Sequence, residues 1–121
     1  MAGEERFKRW SLKESDLDDL TPAKARDLVI KCFFEAQKET FERARQDLGI
    51  SFNARDLMTT VEGSIKLAFR GAGEDFERPT KASLSKVVEA LSKKAASWGT
   101  PQDIIDYHKL QMRKIIGLLR D

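Results

Sequence analysis

The sequence predicts an all-α protein: an antiparallel four-helix bundle with a long central helix and a short extra N-terminal helix. Three observations support this. Apolar residues recur at spacings of three and four along four long segments. Helix start and stop residues flank those segments, and the apolar/polar alternation of a β-strand is absent throughout. Four amphipathic helices with short connections pack by default as an up-and-down bundle.

The composition favours one soluble domain. The chain has 121 residues, 40% of them hydrophobic and 35% charged, and 22 basic residues nearly balance 20 acidic ones. A net charge of +2 gives no strong attraction to nucleic acid or to an anionic membrane. The N-terminus lacks the apolar core of a signal peptide, and no apolar run approaches the length of a membrane helix. We therefore expect a cytoplasmic protein without membrane contact.

Residues 1–20 form an acidic N-terminal segment ahead of a helical bundle domain at 21–121, within a single domain overall. Six acidic residues face four basic ones in this segment. Ser11 and Glu14 have the spacing of a capping box, which predicts a short helix near residues 12–19. We expect this helix to fold back onto the bundle, and a partly disordered tail is the alternative.

The long central helix is predicted between Thr21 and Gly49. Thr21 is a good N-cap, Pro22 suits the first helical position, and Gly49 suits the residue after the last turn. Apolar residues cover about 240° of the helix circumference, more than the ~100° that packing on one neighbour requires. One stripe contains Leu28, Val29, Cys32, Phe33, Ala36 and Ala44, and a second flank contains Ile30, Phe34, Phe41 and Leu48.

A polar strip occupies the remainder of this helix. Opposite charges at Lys31–Glu35 and Lys38–Glu42 are spaced to pair along it. Glu39 falls on the same strip. We expect these side chains to lie outside the core.

The second helix is predicted over residues 54–70, with Asn53 as its cap. Gly63 lies inside it, either to permit a close helix crossing or because it is merely tolerated. Residues 71–79 then break the helical pattern with two glycines, three acids and a proline. We predict a mobile loop here, with Phe76 attaching it to the bundle.

The third helix is predicted to begin at Thr80 or Ser83 and to end near Trp98, with Gly99 as its stop. The last helix is predicted to begin at Thr100-Pro101 and to run to about residue 120. Two stripes are predicted to face inward: Leu84, Val87, Val88, Leu91, Ala95 and Trp98 on the third helix, and Ile104, Ile105, His108, Met112, Ile115, Ile116 and Leu119 on the fourth.

Cys32 and His108 are the residues considered for catalysis, because a thiolate–imidazole pair is a nucleophile. Both fall on inward faces, where a free cysteine commonly packs as a small hydrophobe and a histidine needs only a hydrogen-bond partner. A di-metal carboxylate bundle requires Glu-x-x-His on two helices, whereas this chain has one histidine with Ile105 three residues before it. We therefore predict no catalytic residue, no metal and no cofactor.

Protein interaction is the leading functional prediction. The second flank of the long helix, with a weaker group on the last helix, supplies the candidate interface. These side chains are core if the N-terminal segment or the 71–79 loop covers them, and an interface if neither does. We predict a small non-enzymatic helical protein-interaction module that binds itself, as in a homodimer, or another protein as a subunit of a larger assembly. The candidate interface residues are Ile30, Phe34, Phe41, Tyr107, Leu110 and Leu118.

Nucleic-acid binding through the last two helices is the alternative. Asp103 and Asp106 weaken it, because they lie at the start of the last helix, where a recognition helix contacts bases. The candidate contacts are Lys86, Lys93, Lys94, Lys109, Arg113 and Arg120.

Overall fold

A computed structural model describes residues 10–48 and 53–119, except for the side chains of residues 45–48. Within these ranges the chain forms four α-helices and no strand, so the predicted all-α bundle is confirmed. A single turn of 3₁₀-helix, Glu14–Leu17, precedes them. The four helices are α1 (Pro22–Leu48), α2 (Ala54–Gly71), α3 (Lys81–Ser97) and α4 (Gln102–Gly117).

The helices pack as a closed ring. Each helix contacts the next one along the chain, and α4 returns to contact α1, whereas α1 and α3 touch much less across the centre. The 27 residues of α1 span about 40 Å, so α1 is much longer than its neighbours. This arrangement gives α1 a neighbour on two sides, as its wide apolar arc predicts.

The predicted starts of three helices are confirmed by their hydrogen bonds. Thr21 Oγ1 accepts a hydrogen bond from the Lys24 N–H at the start of α1. Asn53 Oδ1 accepts from two backbone N–H groups of α2, and Thr80 exchanges hydrogen bonds with Ser83 in a capping box on α3. The predicted stop at Gly49 lies outside the described residues.

Two predicted boundaries were wrong. The N-terminal helix is shorter than residues 12–19, and its first turn is closed by Asp16, which accepts a hydrogen bond from the Lys13 N–H, and not by Ser11 and Glu14. The last helix begins at Gln102 with Pro101 as its N-cap residue, and it ends at Gly117, before residue 120.

The core is assembled from one face of each helix. Leu57, Val61, Ile65 and Phe69 line α2, and the predicted inward residues of α3 and α4 are buried apart from Trp98. The second flank of α1 joins this core at Ile30 and Phe34. Among the described residues, no helix combines the length and the apolar character that are needed to cross a bilayer.

Two non-helical segments close the sides of the bundle. Residues 10–13 lie along α4, where Tyr107 Oη donates to the Trp10 carbonyl and the Leu12 N–H donates to Gln111 Oε1. The 71–79 loop packs through Phe76, whose ring meets Phe69 edge-on at 5.5 Å. Arg26 of α1 lies 4.6 Å from the centre of the Phe76 ring and donates to its carbonyl. The predicted role of Phe76 is confirmed.

Candidate functional site

An apolar cleft of about 620 Å³ opens between α1, α2 and the connection from α3 to α4. It lies at the end of the bundle where α2 and α4 begin. α1 provides one wall, the first half of α2 provides the other, and Trp98 and Thr100 close the end. The lining residues are Phe33, Gln37, Thr40, Phe41, Ala44, Asn53, Asp56, Leu57, Thr60, Val61, Ser64, Trp98 and Thr100.

Aromatic side chains form much of the cleft. Phe33 is buried at its base, and the Phe33 and Trp98 ring centres lie 6.3 Å apart with a 57° angle between the rings. Phe41 is half-buried on the α1 wall. Asp56 is the sole ionisable side chain among the described residues that line the cleft. Such a surface favours apolar groups and places one negative charge at its rim.

The end of α3 explains why Trp98 is exposed. Gly99 adopts φ +87°, and the Thr100 N–H donates to the Ala95 carbonyl while the Gly99 N–H donates to Ala96. These two bonds are a Schellman motif, which terminates α3 and turns the chain toward α4. Trp98 is the C-cap residue directly after α3 and keeps 50% of its surface exposed, so its predicted place in the inward stripe was wrong.

The predicted interface residues separate into distinct environments. Ile30 and Phe34 retain only 9% and 8% exposure, so this part of the second flank is covered within the chain. Of Ile30, Phe34 and Phe41, only Phe41 lines the cleft. Tyr107 is half-buried and hydrogen-bonded to the N-terminal segment. Leu110 and Leu118 are exposed, and Leu110 lines a second depression beside Tyr107 and Leu12.

Several predicted nucleic-acid contacts bind acidic side chains of the same chain. Lys109 and Arg113 both bind the Glu89 carboxylate, at 3.1 and 2.7 Å, and their hydrogen bonds hold its pKa below the ordinary value. Lys86 lies 3.1 Å from Glu74. Lys93 and Lys94 are exposed, and Arg120 lies outside the described residues.

The Cys32 thiol is buried in the core. Burial raises its pKa to about 12, and the nearby carboxylates of Glu35 and Asp16 add to this effect. A thiol with this pKa carries almost no thiolate near neutral pH, and thiolate is the nucleophilic form. The environment of Cys32 therefore opposes its use as a nucleophile.

A buried polar cluster between α1 and α4 was not predicted. Glu39 is buried, and its carboxylate lies 2.8 Å from Arg43 Nη2 and 3.6 Å from Nε2 of the buried His108. Arg43 also makes a two-point contact with Asp103 of α4, at 2.6 and 3.0 Å. The cluster joins the second half of α1 to the first half of α4.

The polar strip of α1 is also less solvated than its sequence indicates. Glu35 is buried, with Lys31 and Lys38 each 3.9 Å away. The predicted Lys31–Glu35 pair is present, whereas Lys38 lies beside Glu35 and the predicted Lys38–Glu42 pair is not found among the described residues. No group of three His, Cys, Asp or Glu side chains within residues 10–44 and 53–119 has the arrangement of a metal site.

Comparison with protein families, with curated proteins and with solved structures found no match to this chain.

Proposed function

We propose that the protein is a small non-enzymatic helical interaction module, which self-associates or serves as a subunit of a larger assembly. The apolar cleft is the observation that supports this proposal. It combines aromatic and aliphatic walls with a half-exposed tryptophan at its edge. Tryptophan is enriched among the residues that dominate binding energy, since it contributes a large, rigid apolar surface.

The polar groups of the cleft are consistent with docking. Thr40 Oγ1 and Thr60 Oγ1 donate to carbonyls of their own helices, at 2.8 and 3.0 Å. Asn53 Oδ1 is occupied by the α2 cap. Because these hydrogen bonds are satisfied locally, an apolar side chain entering the cleft would leave few buried polar groups unpaired.

Site-specific photo-crosslinking tests this function. A photoreactive benzoylphenylalanine is introduced at Thr60, which is exposed and lines the cleft, in cells that make the full chain. Leu67 is the matched control position, because it is an exposed residue of the same helix outside the lining. We expect covalent protein adducts from position 60 well above those from position 67.

Equal adduct yields at the two positions, or none at either, would contradict the cleft as a docking surface. The mass of the adduct identifies the partner class: twice the chain mass indicates a second copy, and another mass indicates a different protein. Either mass supports the interaction module.

A further inference from the structure

We propose that the occupant of the cleft is a second copy of this chain, in a two-fold dimer in which each Trp98 enters the partner's cleft. This inference rests on the proposed function and names its partner. The half-exposed Trp98 lies at the end of the cleft that would receive its counterpart. Anchor and receptor therefore occupy one patch of the surface.

A two-fold axis would bring this patch of one copy against the same patch of the other copy. In an isologous interface the same surface serves both subunits, so a contact from Trp98 to the partner's cleft is made twice. Trp98 keeps 50% of its surface exposed in the single chain, and docking into the partner's cleft would bury that part. The doubled anchor is placed near the symmetry axis, where residues of high binding energy cluster.

The charges around the cleft favour a second copy. Asp56 is the sole ionisable side chain among the described lining residues, so the cleft presents one negative charge. Lys94 lies four residues before Trp98 on α3, on the same helix face, and both Lys94 and Asp56 are exposed. An entering Trp98 brings Lys94 toward Asp56 of the other copy.

Both charges are available for this contact. Neither Lys94 nor Asp56 takes part in a salt bridge within the described parts of the chain. A pair of this kind at the rim contributes more to orientation and association rate than to affinity. It therefore fixes which way the two copies face, and Trp98 supplies the affinity.

A dimer interface of standard size would extend beyond the cleft onto the surface around it. A stable interface covers ~800 Å² of each partner, about a tenth of a small protein's surface. The described chain exposes 7787 Å². Asn53 and Thr60 are exposed and line the cleft, and they add polar contact area around the aromatic centre.

Light scattering and sedimentation equilibrium on the purified full chain test the proposal. We expect a concentration-dependent dimer between about 1 μM and about 1 mM. Trp98→Ala is expected to raise the dimer Kd at least about tenfold, the usual effect of truncating a central anchor. Leu67→Ala removes an exposed apolar residue outside the cleft and is expected to leave Kd unchanged.

Charge reversal tests the orientation. Lys94→Glu and Asp56→Lys are each expected to raise Kd by about threefold or more, and the double variant is expected to recover most of that loss. Each reversal also opposes a helix dipole, so urea unfolding first verifies that each variant is folded. The salt dependence of the unmodified chain is a second measurement, and its Kd is expected to rise with salt.

A chain that stays monomeric to about 1 mM would overturn the second-copy assignment. So would equal effects of Trp98→Ala and Leu67→Ala on Kd, or a Kd that does not respond to salt together with no recovery in the double variant. A monomeric chain that still forms heterologous adducts at Thr60 would overturn this inference alone. Absence of adducts at Thr60 would instead contradict the proposed function.

Discussion

Cys32 illustrates how burial changes the chemistry of a single residue. Its thiol lies inside the core, and ionisation would place an anion there beside the carboxylates of Glu35 and Asp16. The pKa of the thiol rises from 9.0 to about 12 for these reasons. Because the folded protein holds the proton more tightly than the unfolded chain does, this group stabilises the fold below pH 9 and the contribution is lost as pH rises toward 12.

Cys32→Ala isolates this effect. The free energy of unfolding of the unmodified chain is expected to fall with pH above 9.0 by up to ~1.4 kcal/mol per pH unit more than that of the variant. Urea unfolding at several values between pH 8 and pH 11 measures the two slopes. Parallel slopes would show that the thiol ionises as readily in the folded chain as in the unfolded one. Alkylation of the native thiol at neutral pH is expected to be slow and to accelerate in urea.

At the residue scale, the burial of Glu35 and Glu39 could not be predicted from the sequence. Helical periodicity places them on the polar strip, and a strip of charged residues normally faces solvent. The structure buries both carboxylates, because α4 and neighbouring long side chains cover part of the strip. Arg43 and Asp103 are 60 residues apart, so their contact is not visible in local spacing. Burial of a polar residue depends on its neighbours in space, which periodicity does not identify.

At the scale of helices, end signals were the most predictable features. Thr21, Asn53 and Thr80 carry short polar side chains that satisfy nearby backbone N–H groups, a strictly local interaction. The predicted start of α4 was wrong because Thr100 takes part in the end of α3. The Thr100 N–H completes the end of α3, and its hydroxyl lies 3.5 Å from Gln37. With so short a connection, Thr100 belongs to the preceding helix end, and Pro101 becomes the N-cap residue.

Substitution of two glycines by alanine is expected to change the stability of the fold in opposite directions. A Cβ at either Gly63 or Gly99 would meet no atom within 4 Å, so space does not distinguish them. Gly63 is an exposed position inside α2, and Gly63→Ala is expected to stabilise the fold by ~0.5–1 kcal/mol through helix propensity. Gly99 has φ +87°, and Gly99→Ala is expected to destabilise by ~1–2 kcal/mol.

Urea denaturation of both variants measures these changes under identical conditions. The two substitutions add the same methyl group, so each serves as the control for the other. Changes of the same sign would contradict the conformational explanation. The close helix crossing that the sequence offered as one explanation of Gly63 was wrong, because Gly63 is exposed and an added Cβ would meet no atom within 4 Å.

At the scale of the whole molecule, the sequence predicted a central helix with more apolar surface than one neighbour covers, but not what covers it. α2 and α4 pack on its two sides, and Ile30 and Phe34 become core. The N-terminal segment reaches α4 through Trp10 and Leu12, a pairing of residues about a hundred positions apart that no local pattern encodes. Of the predicted interface residues on α1, Phe41 lines the cleft.

The Glu39 cluster joins the second half of α1 to the first half of α4. Glu39→Ala removes the carboxylate that binds Arg43 at 2.8 Å and lies 3.6 Å from the buried His108. We expect a loss of ~1–3 kcal/mol in the free energy of unfolding. Glu62→Ala on the exposed face of α2 is the control, with an expected change within ~0.5 kcal/mol.

A double-mutant cycle with Arg43→Ala then measures the coupling. If Glu39 and Arg43 act through their 2.8 Å contact, the double variant loses less stability than the sum of the two single variants, by ~0.5–3 kcal/mol. Strict additivity, or a Glu39→Ala loss no larger than that of Glu62→Ala, would contradict a structural role for the cluster. Far-UV circular dichroism and tryptophan fluorescence are followed together. Because the cluster joins α1 to α4, its loss should lower the stability of the whole bundle, so the two transitions should shift by equal amounts.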